Sequence, residues 1–120
     1  MVRVLILDDD ENRHREFDRI LPDVSRLHVY TAAQAISALR DNAPYDLVCL
    51  DHDLSDHENQ ALAAEPGDGT EVALFINLHL EHSHYPKRVM IHSWNAPGRQ
   101  RMENLIRAVG IPVIVKPFHV

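Results

Sequence analysis

The chain has 120 residues, 45% hydrophobic and 25% charged, a balance typical of one globular domain over residues 1–120. Eighteen acidic against 12 basic residues give a net charge of −6, which argues against direct nucleic-acid binding through a basic face. The apolar runs are too short to cross a bilayer and the N-terminus lacks a signal-peptide pattern, so we expect a cytoplasmic protein without membrane contact.

The first part of the chain reads as strand, helix and strand. Residues 2–7 form an apolar run of the kind that predicts a buried strand. A helix follows, with Phe17 and Leu21 on one face, and Pro22 predicts its end. A second apolar run predicts a strand over residues 27–30. This order opens a βαβ unit, in which the two strands run parallel.

The middle of the chain reads as helix, strand and long loop. Thr31 and Gln34 form a capping box that predicts the start of the second helix. The apolar run at residues 46–50 predicts the third strand. The segment 55–69 is polar and rich in Ala, with the Pro and Gly of a loop. We expect this segment to form a flap over the end of the third strand.

The last part of the chain adds two helices and two strands. The third helix opens near Gly69, and the fourth ends at Gly110, a residue type common at helix C-termini. Apolar runs at residues 89–92 and 112–115 predict the fourth and fifth strands. Strands that alternate with helices in this way predict an α/β fold with an open parallel sheet covered on both faces.

Polar side chains follow four of the five predicted strands. The acidic run 8–10 follows the first strand, Asp51 the third, Ser93 the fourth and Lys116 the fifth. Because parallel strands bring their carboxyl ends to one edge, we expect these groups to meet there. Carboxylates supply oxygen ligands to a divalent cation, while the hydroxyl and the ammonium offer donors to a phosphoryl group. Asp10 is expected to cap the first helix.

This pattern resembles the receiver domain, the phosphoacceptor module of bacterial response regulators, over nearly the whole chain. Asp8 and Asp9 match the acidic pair of the family, Asp51 its phosphoacceptor and Ser93 its hydroxyl position. Lys116 and Pro117 match its Lys-Pro pair after the fifth strand. The resemblance implies a flavodoxin-like, doubly wound, five-stranded sheet of order 2-1-3-4-5.

The resemblance also implies a cation and its ligands. Mg²⁺, or Mn²⁺, would be held by Asp9, Asp51 and the backbone carbonyl of Asp53, with Asp8 contributing through a bound water. Independently of the family, a carboxylate attacks phosphorus only when the repulsion between the two anions is relieved. Asp51, at the end of an apolar run, is the expected nucleophile.

Three features depart from the receiver pattern. The chain stops four residues after Lys116, so we expect the fifth helix to be absent, and the segment after Asp51 is longer than in receivers. His52 follows Asp51 directly, and His92 directly precedes Ser93. With these extra histidines, the chain resembles a receiver-like family proposed to process cyclic phosphates. Since successive side chains of a strand alternate in direction, either imidazole can instead point into the core.

Two functions follow from the residues and the resemblance. In the first, Asp51 accepts a phosphoryl group from a histidine kinase or a small acyl phosphate in a phosphorelay, and a partner protein receives the signal. The alternative is a metal-dependent phosphoesterase that acts on cyclic phosphates, in which His52 or His92 supplies acid–base chemistry.

Overall fold

The computed structural model of the chain describes residues 1–54 and 68–116. Strands and helices alternate in the predicted order, with a 3₁₀ helix at His82–His84 before the fourth strand. The elements are β1 (Arg3–Leu7), α1 (Glu11–Ile20), β2 (Ser25–Val29), α2 (Ala32–Asn42), β3 (Leu47–Leu50), α3 (Gly69–Leu78), β4 (Arg88–Ile91), α4 (Ala96–Arg107) and β5 (Val113–Val115).

The five strands form one parallel sheet of order β2-β1-β3-β4-β5. The register aligns the last residues of all five strands: Leu7 with Val29 and Leu50, Leu50 with Ile91, and Ile91 with Val115. The strand order changes direction between β1 and β3, where open α/β sheets form a crevice for ligands. The predicted flavodoxin-like sheet is confirmed.

The two faces of the sheet carry different side chains because neighbouring residues of a strand point in opposite directions. Leu5 and Leu7 of β1 belong to the larger core, which α2, α3 and α4 cover. Val4 and Ile6 face the other way and pack with Phe17 of α1 in a smaller core. Any residue just beyond a strand therefore points toward one of these two layers.

Local hydrogen bonds fix where the helices begin. The Asp10 side chain accepts from the Asn12 N–H at the start of α1, so the predicted cap is confirmed. Thr31 and Gln34 form both bonds of the predicted capping box of α2. The Asp68 side chain accepts from the Thr70 N–H and caps α3.

The ends of the described ranges bear on two expectations. Of the flap predicted over residues 55–69, residues 55–67 lie outside the described residues, as do residues 117–120. Asp68 and Gly69 are described and form the cap and the first residue of α3. In the part that the structure describes, no helix follows β5, and Ile114 and Val115 of that strand are exposed. No helix among the described residues is both long and apolar enough to cross a bilayer.

Candidate functional site

The sheet ladder continues one residue beyond four of the strands. The backbone N–H of each such residue donates to the last carbonyl of the neighbouring strand at 2.9–3.2 Å. The four residues are Asp8, Asp51, His92 and Lys116. These bonds hold three of the predicted site residues and one of the two histidines in a row along the carboxyl edge of the sheet.

A cavity of about 200 Å³ opens at this edge. Its described lining residues are Asp9, Arg13, Asp51, Asp53, His92, Ser93 and Trp94. Asp8 lies beneath it and is fully buried, while Trp94 is 65% exposed beside its mouth. The structure thus brings together most of the residues that the sequence predicts for the site.

Three carboxylates converge at the cavity. Oxygen atoms of Asp8, Asp9 and Asp51 lie within 4.8 Å of one another. A donor set made only of carboxylate oxygens suits a hard divalent cation such as Mg²⁺ or Mn²⁺. The residues present therefore fit the cation that receiver domains bind at their acidic pocket.

Arg13, on the first helix, is part of this site, although the sequence pattern did not single it out. Its Nε donates to Asp8 Oδ2 at 2.7 Å, and its Nη2 lies 3.2 Å from Asp9 Oδ1 and 3.5 Å from Asp51 Oδ2. The signal in the sequence was its spacing: four residues after Asp9, one helical turn away.

The environment drives two neighbouring carboxyl groups in opposite directions. Burial alone would raise the pKa of Asp8, but hydrogen bonds from His92 and Arg13 outweigh it and lower the pKa to about 2. Burial, aided by the negative charge of Asp8, raises the pKa of Asp51 to about 8. A positive charge bound beside Asp51 would favour the ionised form of its carboxyl group, so the raised pKa is consistent with a cation site.

His92 lies on the same face of the sheet as Asp8 and Asp51. Its Nε2 is 2.9 Å from Asp8 Oδ2, and its ring packs edge-on against Phe17 with centroids 5.2 Å apart. Of the two histidines predicted for the site, this one lines the cavity.

His52 lies on the opposite face, one residue beyond Asp51. Its Nδ1 is 2.8 Å from Asp53 Oδ1, and its ring lies against the backbone of α4, where a Cβ built on Gly98 would approach the ring within 2.4 Å. His52 is not among the described lining residues of the cavity. Strand alternation explains the difference between the two histidines.

Ser93 and Lys116 differ in their access to the cavity. Ser93 is buried at the cavity wall, and its Oγ accepts from the Asn95 N–H at 3.1 Å, which leaves its own hydrogen to donate elsewhere. Lys116 lies at the end of β5, is exposed, and is not among the described lining residues. Its phosphate-binding role stays a prediction.

The strand order and the carboxylates of Asp8, Asp9 and Asp51 at the carboxyl edge of the sheet are those of a receiver domain. Within that class, residues 3–108 match the family of cyclic-phosphate processing receiver domains, and the chain therefore belongs to this family. The resemblance noted in the sequence is confirmed.

Solved receiver domains share the fold. The non-phosphorylated HemR receiver domain from Leptospira biflexa is 25% identical, with a TM-score of 0.67 over 99% of this chain and 85% of that one. TrrA from Thermotoga maritima, solved with Mg²⁺ and BeF, is 18% identical, with a TM-score of 0.67 over 99% and 90%. A CheY-like receiver domain from Methylobacillus flagellatus is 15% identical, with a TM-score of 0.67 over 99% and 89%. No curated protein matches the chain.

Proposed function

We propose that this receiver domain hydrolyses a cyclic phosphate ester in the cavity, with a divalent cation held by Asp8, Asp9 and Asp51. The supporting observation is one cavity that combines Asp51 and Asp9 with the buried hydroxyl of Ser93, directly above Asp8. Carboxylates suit the cation and a hydroxyl donor suits a phosphate oxygen. Membership in a family of cyclic-phosphate processing receiver domains supports the substrate class.

Asp51 is the nucleophile in this proposal. Its carboxylate forms a bond to phosphorus as the ring P–O bond breaks, and the leaving oxygen takes a proton from a water molecule at the cavity mouth. The resulting hydroxide then attacks phosphorus, which releases the monoester and restores Asp51. The net reaction adds one water to the cyclic ester. When bound, the cation supplies the positive charge that favours ionised Asp51 and offsets the charge of the phosphate.

The other residues of the cavity orient the reacting groups. Ser93 directs its free hydroxyl hydrogen toward a phosphate oxygen, because its Oγ already accepts from the Asn95 N–H. His92 holds Asp8 through a bond between its Nε2 and the carboxylate. Trp94, exposed beside the cavity, limits how the organic part of the ester approaches.

A second candidate uses the same nucleophile in a phosphorelay. Asp51 would take a phosphoryl group from a histidine kinase or a small acyl phosphate and keep it long enough to signal to a partner protein. The fold shared with response-regulator receivers favours this candidate. So does the structural similarity to TrrA, which was solved with Mg²⁺ and BeF. The two candidates differ in whether the phosphoryl group stays on Asp51.

Two measurements on the same protein separate the candidates. Ring opening of 2′,3′-cyclic AMP with MgCl₂ is followed by ³¹P NMR, and the intact mass is recorded after incubation with acetyl phosphate. The variants are Asp51→Asn and, as a control, Asp23→Asn, an exposed carboxylate between α1 and β2. We expect Mg²⁺-dependent ring opening in the wild type and in Asp23→Asn, and a loss of about 10³-fold or more in Asp51→Asn.

Other outcomes redirect the proposal. Ring opening that survives in Asp51→Asn would remove Asp51 from the nucleophilic role. A stable phosphate adduct on the wild type, absent from Asp51→Asn and without ring opening, would identify the phosphoacceptor function instead.

A further inference from the structure

The guanidinium of Arg13 lies among the carboxylates proposed to hold the cation. Its Nε is 2.7 Å from Asp8 Oδ2, and its Nη2 is 3.2 Å from Asp9 Oδ1 and 3.5 Å from Asp51 Oδ2. One oxygen from each of these three carboxylates lies within 4.8 Å of the other two. The guanidinium therefore contacts the same three carboxylate groups that would hold a divalent cation.

The charges favour an exchange of one for the other. Three carboxylates at this spacing repel each other strongly in a partly buried site. One guanidinium offsets one negative charge, whereas a divalent cation offsets two. The divalent cation therefore relieves more of this repulsion than the guanidinium does.

Asp8, the most deeply buried of the three carboxylates, keeps two other hydrogen bonds when Arg13 is released. Asp8 Oδ2 also accepts from His92 Nε2 at 2.9 Å, and Asp8 Oδ1 accepts from the Asp10 N–H at 2.8 Å. The Arg13 side chain is 26% exposed, whereas that of Asp8 is fully buried. The guanidinium can thus move into water without passing through the core.

We propose that Arg13 is an internal counter-cation, which occupies the cation position in the cation-free protein and is displaced when the divalent cation binds. This inference rests on the proposed cation site. The observed affinity for the cation is then the intrinsic affinity reduced by the cost of displacing the guanidinium. Removal of that guanidinium strengthens cation binding, the opposite of what loss of a structural ion pair would do.

Calorimetric titration with MgCl₂ tests the exchange. The variant is Arg13→Gln, and the matched control is Arg15→Gln, which removes the same charge from the same helix. Arg15 lies 3.3 Å from Asn12 Oδ1, away from the three carboxylates. We expect tighter Mg²⁺ binding in Arg13→Gln, within the about 5- to 150-fold range typical of coupled binding events, and little change in Arg15→Gln. Equal or weaker binding in Arg13→Gln, with the wild type binding Mg²⁺, would overturn the inference and leave the cation site intact.

Thermal unfolding supplies a second readout that a fixed structural role would not share. In EDTA the melting temperature of Arg13→Gln should fall below that of the wild type, because the carboxylates lose their counter-charge. At saturating MgCl₂ the two temperatures should converge, since the bound cation displaces Arg13 in the wild type and the variant lacks the guanidinium. A difference that persists in MgCl₂ contradicts displacement. If neither protein binds Mg²⁺, the proposed cation site fails, and the inference fails with it.

Discussion

His92 and Asp8 hold each other at the buried side of the cavity. Neither side chain is exposed, and His92 Nε2 lies 2.9 Å from Asp8 Oδ2. Asp8 is ionised at neutral pH because the bonds from His92 and Arg13 outweigh the effect of burial and lower its pKa to about 2. An ionised carboxylate only accepts, so the imidazole must donate the hydrogen on Nε2. This contact gives His92 a positioning role toward Asp8, while its acid–base role stays a prediction.

Replacement of this imidazole should cost stability through one lost hydrogen bond. His92→Phe keeps an aromatic ring against Phe17 but leaves the buried Asp8 carboxylate with one donor fewer. We expect the free energy of unfolding to fall by about 1–3 kcal/mol, measured by urea denaturation in EDTA with an unchanged m-value. The control is His79→Phe, a change at an exposed position near the end of α3. Similar losses in both variants would mean that the bond to Asp8 contributes nothing.

At the scale of elements, His52 joins the end of β3 to two helices. Its Nε2 lies 3.6 Å from Asp68, the cap of α3, and its ring lies against Gly98 in the first turn of α4. Only a residue without a side chain allows this approach, because a Cβ at Gly98 would come within 2.4 Å of the ring Cδ2. His52 therefore helps to fix where α3 and α4 begin beside the cavity.

The packing of His52 on Gly98 predicts a non-additive pair of substitutions. Gly98→Ala should lower the free energy of unfolding by about 1–3 kcal/mol through overpacking, despite the better helix propensity of Ala. In a His52→Ala background the same change should be neutral or stabilising, because the clash is gone. Chemical denaturation of the four proteins gives the coupling energy. Additive effects would show that the ring does not limit position 98.

Many of the strands and site residues could be predicted from local patterns in the sequence. Apolar runs predict the strands, and Asp51 and Ser93 reach one edge because they directly follow two of them. The start of β2 was not predicted, since the edge strand begins with the polar Ser25 and Arg26, whose pairing with β1 fixes it as a strand. Strand alternation left the two histidines undecided, and the tertiary contacts with Phe17 and Gly98 separate them.

Arg13 was missed for a different reason. Its spacing from Asp9 predicts a contact along the helix, but its reach to Asp51 depends on how α1 lies over the sheet edge. Pairs of residues on one helix can be read from the sequence, whereas a side chain that bridges a helix and two strand ends requires the packed structure. The candidate site was therefore predicted for its carboxylates and hydroxyl and not for its guanidinium.

At the scale of the whole molecule, the sheet places its most strongly perturbed acids at one end of a well-packed core. Leu7 and Leu50 are fully buried, and an acidic residue follows each of them. The pKa of Asp8 is lowered to about 2, whereas the pKa of Asp51 is raised to about 8. Proteins commonly accept such a loss of stability where a site needs clustered charge. We therefore expect the clustered acids to lower the free energy of unfolding of the cation-free protein.

This loss should appear as a pH dependence of global stability. The pKa of Asp51 is about 8 when folded, mainly because of burial, against an ordinary value of 3.8. A raised pKa favours the folded protein at low pH, and this stability is lost as pH rises through 8. Burial lowers the pKa of His14 below 6.5, so its opposing effect is confined to lower pH. Between pH 7 and 8 in EDTA, the free energy of unfolding should fall by at most about 1.4 kcal/mol per pH unit. Asp51→Asn should flatten this slope, whereas Asp23→Asn should keep it, and an unchanged slope in Asp51→Asn would assign the titration to another group.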